Sequence, residues 1–243
     1  MNLATLRQVW ALAAREFAAF FRVPLGWIVI ALFVCLSSVF FTRAAIVPGE
    51  PATMRDFFNI WWGLLIVICP AISMRLFSEE QRTGTIEMVL TAPVSEAALV
   101  AGKYLAGMMF LGAMLLPSLV YAGVLAVLAR PDFGPVVAGY LGLVLLGSLY
   151  IAIGCLASSL TSSQTLAFLA TMFTLLVLDI GPRQFAGALP EGVGRLVLSF
   201  MPSVRMGDFS RGLIGSGNAA YFLLASFWFL ALCVVLMQSR RWR

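Results

Sequence analysis

The chain has 243 residues, of which 61% are hydrophobic and 11% charged, with a net charge of +5. A soluble domain carries roughly 25% charged residues, so this composition excludes a water-soluble globular protein and places the chain in a bilayer. Histidine is absent, which removes histidine-ligated haem, most zinc and copper sites and any His-based triad.

The charged residues cluster between apolar blocks long enough, at about 1.5 Å per helical residue, to cross about 30 Å of hydrocarbon. A spanning segment must satisfy its own backbone, and these blocks lack the alternation of a barrel strand, so an all-α membrane protein is expected. The positive charge is nearly all arginine, Lys103 being the only lysine, and it sits at the ends of apolar blocks. Snorkelling and orientation in lipid explain such arginines better than nucleic-acid binding. Cys35, Cys69, Cys155 and Cys233 each lie in a different apolar block without a C-x-x-C pair, and read as small buried hydrophobes, neither disulfides nor metal ligands.

Residues 1–23 predict an amphipathic helix lying in the membrane interface, with Leu3, Leu6, Trp10, Ala13, Phe17 and Phe21 on one face and Gln8, Arg15 and Arg22 opposite. Its polar start is too long for a signal peptide. Six spans are expected at about 24–41, 57–74, 104–129, 136–158, 165–180 and 220–237, the third interrupted by Pro117. The loop at 181–219 is long and apolar in patches, which points to short helices dipping back toward the membrane. Six spans put both termini on one side. If that side is the cytoplasm it holds Arg7, Arg15, Arg22, Arg75, Arg82, Lys103, Arg240, Arg241 and Arg243, nine of the sixteen basic residues, and short-loop counting favours this orientation. The chain is read as a single transmembrane domain, 1–243, without a separate soluble part.

Between spans two and three, residues 75–103 form a long polar passage. Ser78 through Gln81 has the spacing of a capping box, with Glu79 and Glu80 suited to a helix N-terminus. Arg82-Thr83-Gly84 is a breaker. A short amphipathic helix follows, with Ile86, Val89 and Leu90 on one face and Glu87 on another, stopped before Pro93. Ser95 caps the next helix, with Glu96 in its first turn. The apolar face of the short helix either packs on its own bundle or docks a soluble partner, and composition does not separate the two.

Resemblance does. The run R-L-F-S-E-E-Q-R-T-G-T-I-E-M-V-L-T-A-P-V-S with the later G-K closely resembles the loop between spans two and three of ATP-binding-cassette type-2 permeases. The matching positions are Glu79, Glu80, Arg82, Gly84, Thr85, Glu87, Leu90, Pro93 and Lys103. In that family the loop carries a coupling helix that seats in the ATPase subunit. The resemblance therefore implies an ATPase-coupling site made of Glu79, Glu80, Arg82, Gly84, Thr85, Ile86, Glu87, Val89, Leu90 and Pro93. A second stretch, P-S-V-R-M-G-D-F-S-R-G-L-I before the last span and S-R-R-W after it, is similar to the gliding-motility and nitrous-oxide-reductase-maturation branch, through Pro202, Phe209, Gly212 and Ile214. The departure is at Gly215 to Asn218, where that branch has an acidic turn.

What the resemblance implies is the transmembrane subunit of an exporter in the bacterial inner membrane. Both termini would be cytoplasmic, a second permease subunit would complete a dimer, and two ATPase copies would use ATP and magnesium. The chain itself is expected to bind no cofactor and to be no enzyme. Gly102-Lys103 is followed by Tyr104 and lacks the upstream glycine of a phosphate cradle, and no carboxylate pair sits within a span to act as acid and base. The rival reading is a non-transporting scaffold that passes ATP-driven force to periplasmic machinery. Asp179, at the end of span five, is a candidate transport-path or gating residue together with Phe209, since ionisable groups at membrane depth are functional candidates. The simpler reading pairs Asp179 with Arg183. Small residues four apart, Ala138 with Gly142 and Gly154 with Ser158, permit close helix contact.

Overall fold

A computed structural model of the protein describes residues 3–44, 54–85, 95–129, 132–186 and 189–241. Among the described residues there are eleven α-helices, one 3₁₀ turn and no strand. We number them α1 (Leu3–Arg22), α2 (Pro24–Ala44), α3 (Arg55–Ser73), α4 (Arg75–Thr83), α5 (Glu96–Leu115), α6 (Leu119–Ala129), α7 (Phe133–Leu160), α8 (Gln164–Ala186), α9 (Glu191–Ser199), α10 (Pro202–Ser210) and α11 (Ser216–Arg241). Six helical stretches are long and apolar enough to cross a membrane, taking α3 with α4 and α5 with α6 as continuous stretches. The all-α membrane bundle expected from the sequence is the observed fold.

Helix α7 is the axis of the bundle, buried along most of its length against α3, α5, α8, α10 and α11. Lipid tails are as apolar as leucine, so helices in a membrane associate by close packing and interhelical hydrogen bonds. Both are present. A Cβ on Gly154 would collide with Ser73 of α3, and one on Gly142 would lie 2.7 Å from Met206 Sδ and from Phe209 Cβ of α10. The two small-residue pairs singled out in the sequence thus mark contacts within the chain. Helix α11 runs parallel to α7, joined by Ser148 Oγ to Ser226 Oγ at 3.1 Å and by Cys233 Sγ donating to the Cys155 carbonyl at 3.8 Å.

Local chemistry sets the breaks. Pro117 ends α5, and the chain passes through a 3₁₀ turn at Leu116–Ser118 before α6 resumes. Asp132 caps α7, its Oδ1 accepting from Gly134 N at 3.0 Å. At the other end of the fifth span the expected stop at 180 is replaced by a helix that runs on to Ala186 with Pro182 inside it. A proline in a helix removes one backbone hydrogen bond, and in a packed membrane helix that loss does not force a break. The remaining stretch up to the last span holds the two short helices α9 and α10, packed on α8 and α7.

One further expectation is corrected. Ser78 does not cap a helix, because α4 starts at Arg75 as a near-continuation of α3 through Met74, whose backbone is helical (φ −55°, ψ −28°) and whose N–H reaches the Pro70 carbonyl at 2.8 Å. On α1 the face packed on the bundle lies roughly a quarter revolution, at about 100° per residue, from the Leu6–Trp10 stripe. Ala13 and Phe20 are buried, whereas Trp10 is 60% and Leu6 48% exposed. The close approach of α1 to Gly102, where a Cβ would meet Leu12 Cβ at 2.8 Å, decides which face turns inward.

Candidate functional site

The polar passage between the second and third spans is held at one end of the bundle by an ion-pair cluster drawn from three helices. Lys103, in the second turn of α5, has only 1% of its side chain exposed. An ammonium this deep is costly unless paired. Its Nζ lies 2.9 Å from Glu80 Oε1 of α4 and 3.6 Å from Glu16 Oε1 of α1, over the ring of Phe77 at 5.3 Å from the centroid. Arg15 closes the outer side, with Nη2 2.8 Å from Glu16 Oε1 and 3.7 Å from Glu80 Oε1. Two cations thus meet two carboxylates in a partly dehydrated setting, where charge-assisted bonds are strongest. The hydrogen bond to Glu16, opposed by partial burial and helped by the fields of Glu16 and Glu80, raises the Arg15 guanidinium above its ordinary pKa.

Helix α4 is anchored to α7 as well. The first N–H groups of any helix lack intrahelical partners, and here those of Phe77 and Ser78 both donate to Ser158 Oγ of α7 at 3.0 Å. Ser158 in turn donates to the Met74 carbonyl at 3.0 Å. The cap is therefore supplied in trans, and the Ser78 hydroxyl instead donates back to the Met74 carbonyl. Gln81 Nε2 donates to the Ser159 carbonyl at 2.8 Å, and Arg75 pairs with Glu79 one turn on at 3.0 Å. A hollow of about 30 Å³ bounded by Glu16, Phe20, Arg75, Leu76 and Glu79 has the room and polarity for one water.

Of the sequence-predicted coupling residues, Glu79, Glu80 and Arg82 lie on α4, and Gly84 ends it in the left-handed conformation (φ 71°, ψ 3°). That conformation suits glycine. Thr85 Oγ1 is 2.9 Å from Thr83 Oγ1. Ile86, Glu87, Val89, Leu90 and Pro93 lie outside the described residues. On the far side of that segment Ser95 caps α5, its Oγ accepting from Ala98 N at 3.2 Å, with Glu96 in the first turn. The sequence reading missed Arg15, Glu16 and Ser158 as members of this site. Glu16 carried a signal, being the one acidic residue of α1; Ser158 was marked only as a small residue four from Gly154, which says nothing of capping.

The second polar site joins α7, α8 and α10, and here the expected Asp179–Arg183 pair is corrected. Asp179 is 2% exposed, and its carboxylate accepts from the Tyr150 hydroxyl and, at 3.0 Å, from Ser203 N. It points inward to α7 and caps the start of α10. Arg183 Nη2 donates to Ser203 Oγ at 3.3 Å instead. Phe209 is fully buried, wedged at Gly142 with its ring 6.4 Å from that of Phe222. Asp179 and Phe209 therefore fasten the same short helix, α10, to the bundle. Among the described residues no group of three or more Cys, Asp or Glu is placed to hold a metal ion.

A family model described as ABC-2 family transporter protein matches residues 44–238, from the end of α2 to the end of α11. The comparison with curated proteins found no match. The matched segment contains α4, the Glu80–Lys103 pair, the Ser158 cap and the Asp179 site, leaving out only α1 and most of α2 before it. The chain therefore belongs to the ABC-2 family of transporter proteins, as a multi-helix membrane component of an ATP-binding-cassette transporter.

Proposed function

We propose that this chain is the permease subunit of an exporter, driven by a separate ATPase that docks on the segment between Gly84 and Ser95. In this reading the docking end faces the cytoplasm, both termini lie there, and a second permease subunit, identical or homologous, completes the path with two ATPase copies. The ATPase supplies nucleotide chemistry. This chain supplies the mechanical link. The gliding-motility and nitrous-oxide-reductase-maturation branch is the group to which we assign it, on Pro202, Phe209, Gly212 and Ile214.

The observation that carries the reading is the bracing on both sides of the docking segment. Before it, α4 is fixed to α7 by Ser158 and to α1 and α5 by Glu80; after it, α5 starts at the Ser95 cap and carries Lys103 two turns on. A load applied between Gly84 and Ser95 is thereby delivered to three spans rather than lost in a loop. Two-state transport needs such an element, whose contacts differ between states.

The test is co-purification of the chain with its ATPase subunit, followed by ATPase activity in lipid, for wild type and Glu87→Arg. Formation of the pair with loss of binding or of lipid-stimulated activity in Glu87→Arg is the expected result. An unaltered complex with unaltered activity sinks the docking assignment.

A further inference from the structure

Between α1 and α5, on the outward side of the ion-pair cluster, the bundle leaves an open groove of about 440 Å³ lined by Leu6, Arg7, Val9, Trp10, Ala11 and Leu105. Sites for small ligands have about 300–1,000 Å³. Its walls are apolar except for one cation, Arg7. That side chain is exposed, no carboxylate precedes Glu16 on α1, and no ion pair engages Arg7 among the described residues. The level of the groove in the membrane follows from Leu105, which lies two residues beyond Lys103. Lys103 belongs to the charged end of the bundle, and the apolar length of α5 starts just past it. The groove therefore opens where headgroups give way to acyl chains. Trp10, 60% exposed on its wall, is the residue type that favours this boundary.

We infer that this groove binds a phospholipid with a net-anionic headgroup, its phosphate on Arg7 and one acyl chain along Leu6, Trp10 and Leu105. Charge complementarity selects the occupant. A guanidinium holds a phosphate through paired N–H donors, and a headgroup such as glycerol leaves that negative charge uncompensated, whereas choline brings its own cation to the site. A peptide partner would present backbone donors and acceptors to walls that offer them nothing. The inference concerns the leaflet at the α4 end and holds whether or not the docking assignment above does.

The experiment places the full chain in nanodiscs of equal phosphatidylglycerol and phosphatidylcholine, and native mass spectrometry reads the ratio of the two lipids that stay bound after release. Wild type should retain phosphatidylglycerol preferentially. Arg7→Gln should reduce that preference about five-fold, the worth of one arginine at an anionic surface, while Arg22→Gln, an exposed arginine at the far end of α1, leaves it unchanged. Leu105→Trp, which fills the groove and keeps Arg7, should abolish retention; Ala11→Phe, narrowing it from the exposed side of α1, does the same if Leu105→Trp unfolds. Equal retention of both lipids by wild type overturns the proposal. So does an equal loss in Arg7→Gln and Arg22→Gln, which indicates a general charge effect, or full retention in the filled-groove variant that folds.

Discussion

Replacing Lys103 by methionine keeps most of the length of the unbranched side chain and removes its charge from a site that is 99% enclosed. The loss falls on Glu80 and Glu16, whose side chains are only 15% and 18% exposed. Removing one partner of a buried pair costs about 3–5 kcal/mol, because the other charge stays behind. Arg15 remains 2.8 Å from Glu16 and 3.7 Å from Glu80 and compensates part of it from the solvent side, so the lower end, about 3 kcal/mol, is expected. For a chain of this size about 1 kcal/mol shifts the unfolding temperature by about 2–4 °C, giving a fall of about 6–12 °C. The assay is thermal unfolding in nanodiscs, with Glu80→Gln and the double variant completing a cycle. In the double variant no carboxylate at position 80 is stranded, so it should unfold above Lys103→Met alone, with a coupling energy of about 1–3 kcal/mol. An unfolding temperature for Lys103→Met within 2 °C of wild type, or strict additivity in the cycle, would refute the reasoning that this pair holds α4 to α5, about 2 °C being under 1 kcal/mol.

Three other outcomes follow from the same bundle. Ser158→Ala leaves the Phe77 and Ser78 N–H groups and the Met74 carbonyl without their shared partner; at about 1–3 kcal/mol for a stranded buried group, hydrogen exchange of the first turn of α4 should speed at least ten-fold while α8 stays protected. Asp179→Ala removes both hydrogen bonds of the carboxylate and should cost about 3–5 kcal/mol, whereas Asp179→Asn keeps one acceptor and should cost about 2; equal unfolding temperatures for the two variants would contradict the capping role assigned to Asp179. Gly154→Ala pushes a methyl into Ser73 and should destabilise by about 1–3 kcal/mol, the usual effect of overpacking, read as a lower unfolding temperature than for the control Gly112→Ala, where a Cβ meets nothing.

The spans and their punctuation were legible because they depend on properties of a single segment. Length and apolarity mark α2 and α11, Pro117 marks the break after α5, and Ser95 and Gly84 act through their own local geometry. The misreadings share a different cause, since each concerns a partner supplied by another helix. Ser78 looks like a cap when its segment is read alone, but Ser158, 80 residues away, takes the N–H group that a cap would have used. Asp179 has Arg183 one turn along its own helix, yet Tyr150 and Ser203 N, from two other helices, offer it better enclosed donors. On α1, alanine, leucine and phenylalanine occur around most of the helix, so the segment alone does not say which apolar face packs on the bundle. Glu16 and the approach to Gly102 choose among them.

The same trans contacts bear on how α4 behaves under load. At nine residues it is too short to persist as a free helix, and a helix held only through Met74 would hinge there. Its fixings are spread along its length instead: Phe77 and Ser78 on Ser158, Glu80 on Lys103, and Gln81 on the Ser159 carbonyl. Bending at Met74 would break the hydrogen bond from Ser158 to the Met74 carbonyl together with the two bonds into α4, whereas moving α3, α4 and the end of α7 as one body keeps all three. The less costly response to a push beyond Gly84 is thus a rigid displacement of α3 and α7. Those two helices meet at Gly154 and Ser73, and α10 is seated at Gly142 of α7. In this geometry the α4 end of the bundle and the Asp179 site share one element, α7, through Ser158 at the first and Tyr150 at the second.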